Sequence, residues 1–180
     1  MIMQQSLFES AGSAEFSVDG RYRWRLERHW DHARPVMTFV MLNPSTADGR
    51  QDDPTVRRCL GFARREGCGG IVVVNLFAWR ATDPADLCAA AAAGDDVIGP
   101  ENHRYVHNAL EATWLGGGVV VAAWGAHVAR PVLRPFLTPP VKAGPERPVW
   151  TLGVTKAGFP RHPLMVRADQ PLQHHTGRVA

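Results

Sequence analysis

The strongest constraint on this chain is a set of apolar runs that recur at intervals too long for hairpins. They cover 37–42, Ile71-Val72-Val73-Val74 and Val119 to Ala123, and a fourth follows at Val149 to Val154. Such runs, rich in β-branched residues and with little polar alternation, mark strands covered on both faces. The stretches between them carry helix signals. Asp53-Pro54 offers an N-cap with proline at the first helical position, and Val56, Leu60 and Ala63 follow at helical spacing over 54–66. Further helical segments are predicted over Glu101 to Thr113 and, in part, over Ala81 to Pro100, where the alanine tract 89–93 reads as a helix end. A short helix broken by prolines is predicted over Ala129 to Leu137. This alternation predicts an α/β domain of three layers, α/β/α, around a central four-stranded parallel sheet.

An antiparallel ribbon precedes that unit. Glu15-Phe16-Ser17-Val18 and Tyr22-Arg23-Trp24-Arg25-Leu26 flank Asp19-Gly20, a strong hairpin signal. The expected organisation is an N-terminal tail over 1–14, one domain over 15–172 and a C-terminal tail over 173–180. The segment from Asp169 onward, with His174-His175, is expected to be poorly packed, and the proline-rich 138–148 to be a surface loop.

Composition narrows the class. With 180 residues, 45% of them hydrophobic and 21% charged, the chain can bury an ordinary core. It has no run of the roughly 18 apolar residues that a membrane span needs, and MIMQQSLFES lacks the basic-then-apolar order of a signal peptide. A cytoplasmic protein with no membrane partner is therefore expected. Cys59, Cys68 and Cys88 form no CxxC pair and read as reduced thiols, so neither a metal site nor a cofactor is expected. His103 and His107 have helical i, i+4 spacing but no adjacent glutamate and read as surface residues. The net charge of +3 comes almost wholly from arginine, since lysine occurs only at Lys142 and Lys156. Arginine suits bidentate phosphate contacts, although a coding bias toward arginine explains the count equally well.

The ends of the apolar runs carry the polar residues. Met41-Leu42-Asn43-Pro44-Ser45-Thr46-Ala47-Asp48 closes the first, Asn75 the second and Trp124-Gly125 the third, while the loop after the fourth holds Arg161-His162-Pro163 between Gly158, Pro160 and Pro163. In a parallel sheet these carboxyl ends share one rim, where α/β proteins place their ligands. Ser45 is the only serine after Ser17, but no GxSxG elbow surrounds it. Ser45 and Thr46 are better suited to holding a phosphate or sugar.

The motifs "MLNPSTAD", "DDPTVRRC", "VVNLFAWRATDP", "GPEN", "WGAH" and "GFPRHPL" resemble the bacterial domain-of-unknown-function family 1643 over most of residues 16–172. Three of them are also similar to motifs of the uracil-DNA glycosylase superfamily. Met41-Leu42-Asn43-Pro44 resembles its Gly-x-Asn-Pro motif, with methionine in place of glycine. Val72-Val73-Val74-Asn75 resembles the strand ending in a base-reading asparagine, and His162-Pro163-Leu164 the His-Pro-Ser loop without its serine.

The second resemblance implies a uracil-DNA-glycosylase-like fold and hydrolysis of the N-glycosidic bond of a damaged or modified base. In that reading His162 is the catalytic donor and Asn43 orients water, with Asp48 or Asp52 as its activator; Asp53 is accounted for as a helix cap. Asn75 reads the base edge, Phe77 stacks on it, and Trp79 belongs to the core. Leu42, Pro44, Ser45, Thr46, Gly125 and Pro163 complete the binding surface, and Arg57, Arg58, Arg80 and Arg161 are expected on a phosphate backbone. The implied partner is nucleic acid, DNA foremost, or a nucleotide or nucleoside; no oligomeric state is implied. The alternatives are a non-catalytic nucleic-acid or nucleotide-binding module on the same fold and an enzyme acting on a small nucleoside.

Overall fold

The computed structural model describes residues 11–137 and 144–176. Seven strands form a single sheet: β1 Ala11–Phe16, β2 Arg23–His29, β3 Val36–Met41, β4 Gly70–Asn75, β5 Val119–Ala122, β6 Val149–Thr151 and β7 Gln173–His174, in the order β1-β2-β4-β3-β5-β6-β7. The central β4, β3, β5 and β6 are mutually parallel, and the outer pairings are antiparallel. Three helices, α1 Pro54–Arg65, α2 Pro84–Ala92 and α3 Asn102–Leu115, join them.

Parity along the strands sets the layers. Ile71 and Val73 of β4 pack with Met37, Phe39 and Met41 of β3 against Val56, Leu60, Phe62 and Ala63 of α1. Val72 and Val74 face the other way, into a cluster with Leu87 of α2 and Val106, Ala109 and Leu110 of α3. The sheet is thus covered by α1 on one face and by α2 and α3 on the other. Helices α1 and α2 start where their sequences direct: Asp53 accepts from the Val56 N–H, with Pro54 at the first helical position, and Asp83 from the Ala85 N–H, with Pro84 there.

Four expectations need correction. The sheet has seven strands rather than four, because both strands of the hairpin and β7 join the four parallel ones: Leu26, Glu27, Arg28 and His29 of β2 lie antiparallel to Val73, Val72, Ile71 and Gly70 of β4. A six-residue β4 buried throughout needs a strand on each side, and β2 supplies the second. The hairpin turns at Asp19-Gly20 as expected, with Gly20 at φ +69°, but β1 starts at Ala11, four residues before the expected domain. At the other end, β7 pairs Gln173 with Thr151 and His174 with Trp150, so these residues belong to the sheet. His175 is 8% exposed and meets the Trp124 ring edge-on at 5.8 Å. The proline-broken helix after β5 is two 3₁₀ segments, Ala126–Ala129 and Pro131–Phe136. Of the loop expected over 138–148, residues 138–143 lie outside the described ones, as do 1–10 and 177–180. No helix among the described residues is long and apolar enough to cross a membrane.

Candidate functional site

The carboxyl ends of β3, β4 and β5 form the floor of a cleft of about 730 Å³. The N-terminus of α1 makes one wall, with Asp53, Pro54, Thr55 and Val56, and the loop carrying Arg161, His162, Leu164 and Met165 makes another. This volume suits a small-molecule ligand. Asn43, Asn75 and His162, far apart in sequence, all line it, together with Leu42, Ser45, Thr46, Gly125 and Arg161.

Asn75 ends β4 with the parity of Ile71 and Val73, which directs it to the α1 side. It is 1% exposed, and neither Oδ1 nor Nδ2 has a hydrogen-bond partner. Its backbone is held firmly: its carbonyl accepts from Asn102 Nδ2 at 3.0 Å, and the same nitrogen reaches the Leu76 carbonyl at 3.1 Å. Leaving a buried amide unpaired costs about 1–3 kcal/mol, and here the unpaired amide forms part of a cleft wall. Trp124 Nε1, also in the cleft lining, is likewise buried and unpaired.

His162 sits on a loop braced by hydrogen bonds from Arg161 N to the Gly153 carbonyl (2.9 Å), from Thr155 N to the Phe159 carbonyl (2.8 Å) and from Gly125 N to the Pro160 carbonyl (3.0 Å). From α1, Arg58 donates to the carbonyls of Pro163 and Val166. Leu164 N donates to His162 Nδ1 at 3.3 Å, which leaves the ring proton on Nε2. Burial lowers the His162 pKa, the Asp53 carboxylate raises it and His127 lowers it again, for a net fall below the usual 6.5. The neutral, Nε2-protonated imidazole therefore prevails at neutral pH, in the form of a hydrogen-bond donor.

Asn43 is committed in part. Its Nδ2 donates to the carbonyls of Ala81 at 2.8 Å and Pro44 at 3.1 Å, which locks the turn and leaves Oδ1 as the group able to accept from a ligand or water. The predicted water activators lie elsewhere. Asp48 accepts from the backbone N–H groups of Arg50 and Gln51, which lowers its pKa, and does not line the cleft. Asp52 pairs with Arg28 at 2.8 Å. The carboxylate that does line the cleft is Asp53, the α1 cap.

Five other residues expected at the site do not line the cleft. Phe77 is fully buried among the residues packed under α2 and α3, so it offers no stacking face. Pro44 and Pro163 are buried behind the lining. Arg80 packs over the Phe16 ring at 4.8 Å and donates to the Gly20 carbonyl at 2.9 Å. It lines an adjoining groove of about 410 Å³ that shares Ser45, Thr46, Ala81 and Thr82 with the main cleft. Arg58, expected on a phosphate backbone, instead holds the His162 loop.

Arg23 and His127 line the cleft although neither is an expected site residue, and Trp124, expected only as a strand end on the rim, lines it too. Arg23 was hidden because the β2 register on β4 is a non-local fact. His127 stands in the "WGAH" motif, two residues after the strand-end Gly125, and that proximity is the available signal. Among the described residues no group of three or more His, Cys, Asp or Glu side chains is placed to hold a metal ion.

The family model described as "Protein of unknown function (DUF1643)" matches residues 23–164, from Arg23 at the start of β2 to Leu164 in the His162 loop. Among the described residues, that span includes every one lining the cleft except Met165. No curated protein and no solved structure matches the chain. With most of its length matched, and every strand-end motif inside the match, the chain belongs to the DUF1643 family.

Proposed function

We propose that the cleft binds a nucleobase, as a nucleoside, a nucleotide or a base flipped from DNA, and that it supports hydrolysis of the N-glycosidic bond. The observation that carries this reading is the Asn75 amide, buried in the cleft wall with both its donor and its acceptor unpaired. An amide in that state matches the edge of a pyrimidine, which offers a carbonyl acceptor beside an N–H or amino donor. The glycosylase-like order of the Asn43, Asn75 and His162 motifs supports the same reading.

In the reaction, water oxygen bonds to the anomeric carbon as the carbon–nitrogen bond breaks. The bonding pair leaves on the base, and the water proton passes first to a carboxylate and from there to the base or to solvent. Negative charge grows on the base oxygen, where a neutral imidazole donating from Nε2 stabilises it. Removal of one such donor costs about 10²–10³ in rate. Asn43 Oδ1 is the group left free to orient the water, and Asp53 is the carboxylate to accept its proton.

A second reading, a binding module without hydrolysis, is favoured by one specific observation. Both polar groups near the reacting position carry structural duties, Asn43 in its turn and Asp53 as a helix cap.

The test is base release from oligonucleotides containing uracil, hypoxanthine or alkylated bases, in single- and double-stranded form, and from the matching free nucleosides. Alkali-labile sites or free base, lost in His162→Ala, are expected. Binding that needs Asn75, with no release from any substrate, selects the module. Binding indifferent to both Asn75 and His162 overturns the base-reading assignment.

A further inference from the structure

Asn75 accounts for one unpaired polar side chain of the cleft; Trp124 Nε1 and the charged Arg23 are left without a role, and Arg23 is the one that carries charge. Arg23 is the first residue of β2, and because β2 runs antiparallel to β4 its side chain arrives at the rim where the parallel strands end. It is 3% exposed. Nη1 donates to the Ala47 carbonyl at 2.7 Å, while Nε is buried with no acceptor. Nε and Nη2 share the edge of the guanidinium that grips carboxylates and phosphates with two parallel bonds, and among the described residues no acceptor bonds to either atom.

Arg28, on the same strand and equally buried, provides an internal comparison. It pairs with Asp52 through Nε and Nη2 and donates to the carbonyls of Glu27 and Asp48. Where this strand buries an arginine for structure alone, the charge is matched. Arg23 has no ion-pair partner among the described residues. The nearby Asp53 is bonded to the Val56 N–H, and although its charge favours the Arg23 cation, Arg80 and Arg28 oppose it. Burial pushes the Arg23 pKa down to about 10, which still leaves it charged at neutral pH. Beside it, Thr55 and Val56 bring the positive end of a 12-residue helix to the same cleft, and Ser45 and Thr46 add hydroxyls.

We infer that Arg23 is a ligand-binding residue, whose free guanidinium edge grips an anionic group, phosphate or carboxylate, on the molecule that occupies the cleft. The inference stands apart from the base-reading role of Asn75. Joined to it, it makes the ligand a nucleotide rather than a bare nucleoside.

The test uses the full chain and four probes: inorganic phosphate, acetate, uridine and uridine 5′-monophosphate. In ¹⁵N-labelled protein the Arg23 Nε–H resonance reports contact directly, without any variant. It should shift with an anionic probe, and the phosphate and acetate arms show which anion is preferred. Calorimetry should show Arg23→Gln weakening the preferred anion on the order of tenfold, the loss typical of a charge-assisted pair. Arg23→Lys, which keeps the charge but not the fork, should lie between. A resonance unmoved by all four probes overturns the inference, as does Arg23→Gln protein, folded by circular dichroism, that binds anions as the wild type does. Uridine binding that is absent in the wild type, or unchanged in Asn75→Ala, while anion binding at Arg23 persists sinks the base-reading role and leaves the Arg23 site standing.

Discussion

Asn102 Nδ2 donates to the backbone carbonyl of Asn75 at 3.0 Å, so one buried asparagine fixes the place of another whose own amide bonds to nothing. The two are equally buried, and only one works for the fold. Asn102→Ala removes two hydrogen bonds to the end of β4 and should lower stability by about 1–3 kcal/mol. Asn75→Ala removes two unpaired polar atoms from a cleft wall and should change stability by less than about 1 kcal/mol while abolishing base discrimination. Urea denaturation of both variants checks the contrast. An Asn75→Ala loss as large as that of Asn102→Ala would show that the amide is structural.

The strand-end residues were legible because apolar runs and the turns that stop them are local. Asn43, Asn75, Gly125 and His162 need only the parallel topology to meet. The rest depended on facts no local pattern carries. The docking of β2 on β4 brings Arg23 into the cleft. The chain leaves the strand at Asn75, and the bend that follows puts Phe77 in the core under α2 and α3. Strand β7 is two exposed residues long and has no periodicity to read. Asp53 shows a different limit: the cap assignment was right, and it concealed that the same carboxylate faces the cleft.

The depressed pKa of His162 has a defined sign. The unfolded chain takes up this proton near pH 6.5 and the folded chain only at lower pH. Between the two values the unfolded state therefore binds more protons, and the contribution to stability falls as pH drops below about 6.5. Its donor role should survive acidification past 6.5, since the neutral ring persists. Asp53 raises this pKa, so Asp53→Asn, which keeps the helix cap, should lower the His162 midpoint further at little cost to stability. An imidazole-proton titration by NMR reads both values. A rise in Asp53→Asn contradicts the assigned electrostatics.

Gly125 has φ +75° and ψ −177°, a region essentially closed to other residues, and a Cβ there would meet the His162 Cβ at 3.6 Å. Contact at that distance is tolerable; the backbone conformation is not. Gly125→Ala should therefore cost about 1–3 kcal/mol through strain. Because Gly125 N also holds the Pro160 carbonyl, the cost should come with weaker ligand binding. A melting temperature equal to that of the wild type would mean the turn relaxes freely.

Arg58 is the residue whose expected role and observed role differ most. Helix α1 presents a row of arginines that reads as a basic surface, yet Arg58 reaches across to the carbonyls of Pro163 and Val166 on the His162 loop. It also lies 5.3 Å from the centre of the Phe62 ring, which limits its swing. Arg58→Gln should therefore loosen the loop rather than weaken electrostatic attraction to a polyanion. Amide exchange should accelerate over 162–166, and His162, better hydrated, should titrate closer to 6.5. Lysine cannot reproduce the two-carbonyl grip and should rescue little. The alternative, a phosphate contact, predicts unchanged exchange and a smaller salt dependence of nucleic-acid binding. The two outcomes are distinguished by one exchange experiment on the free protein.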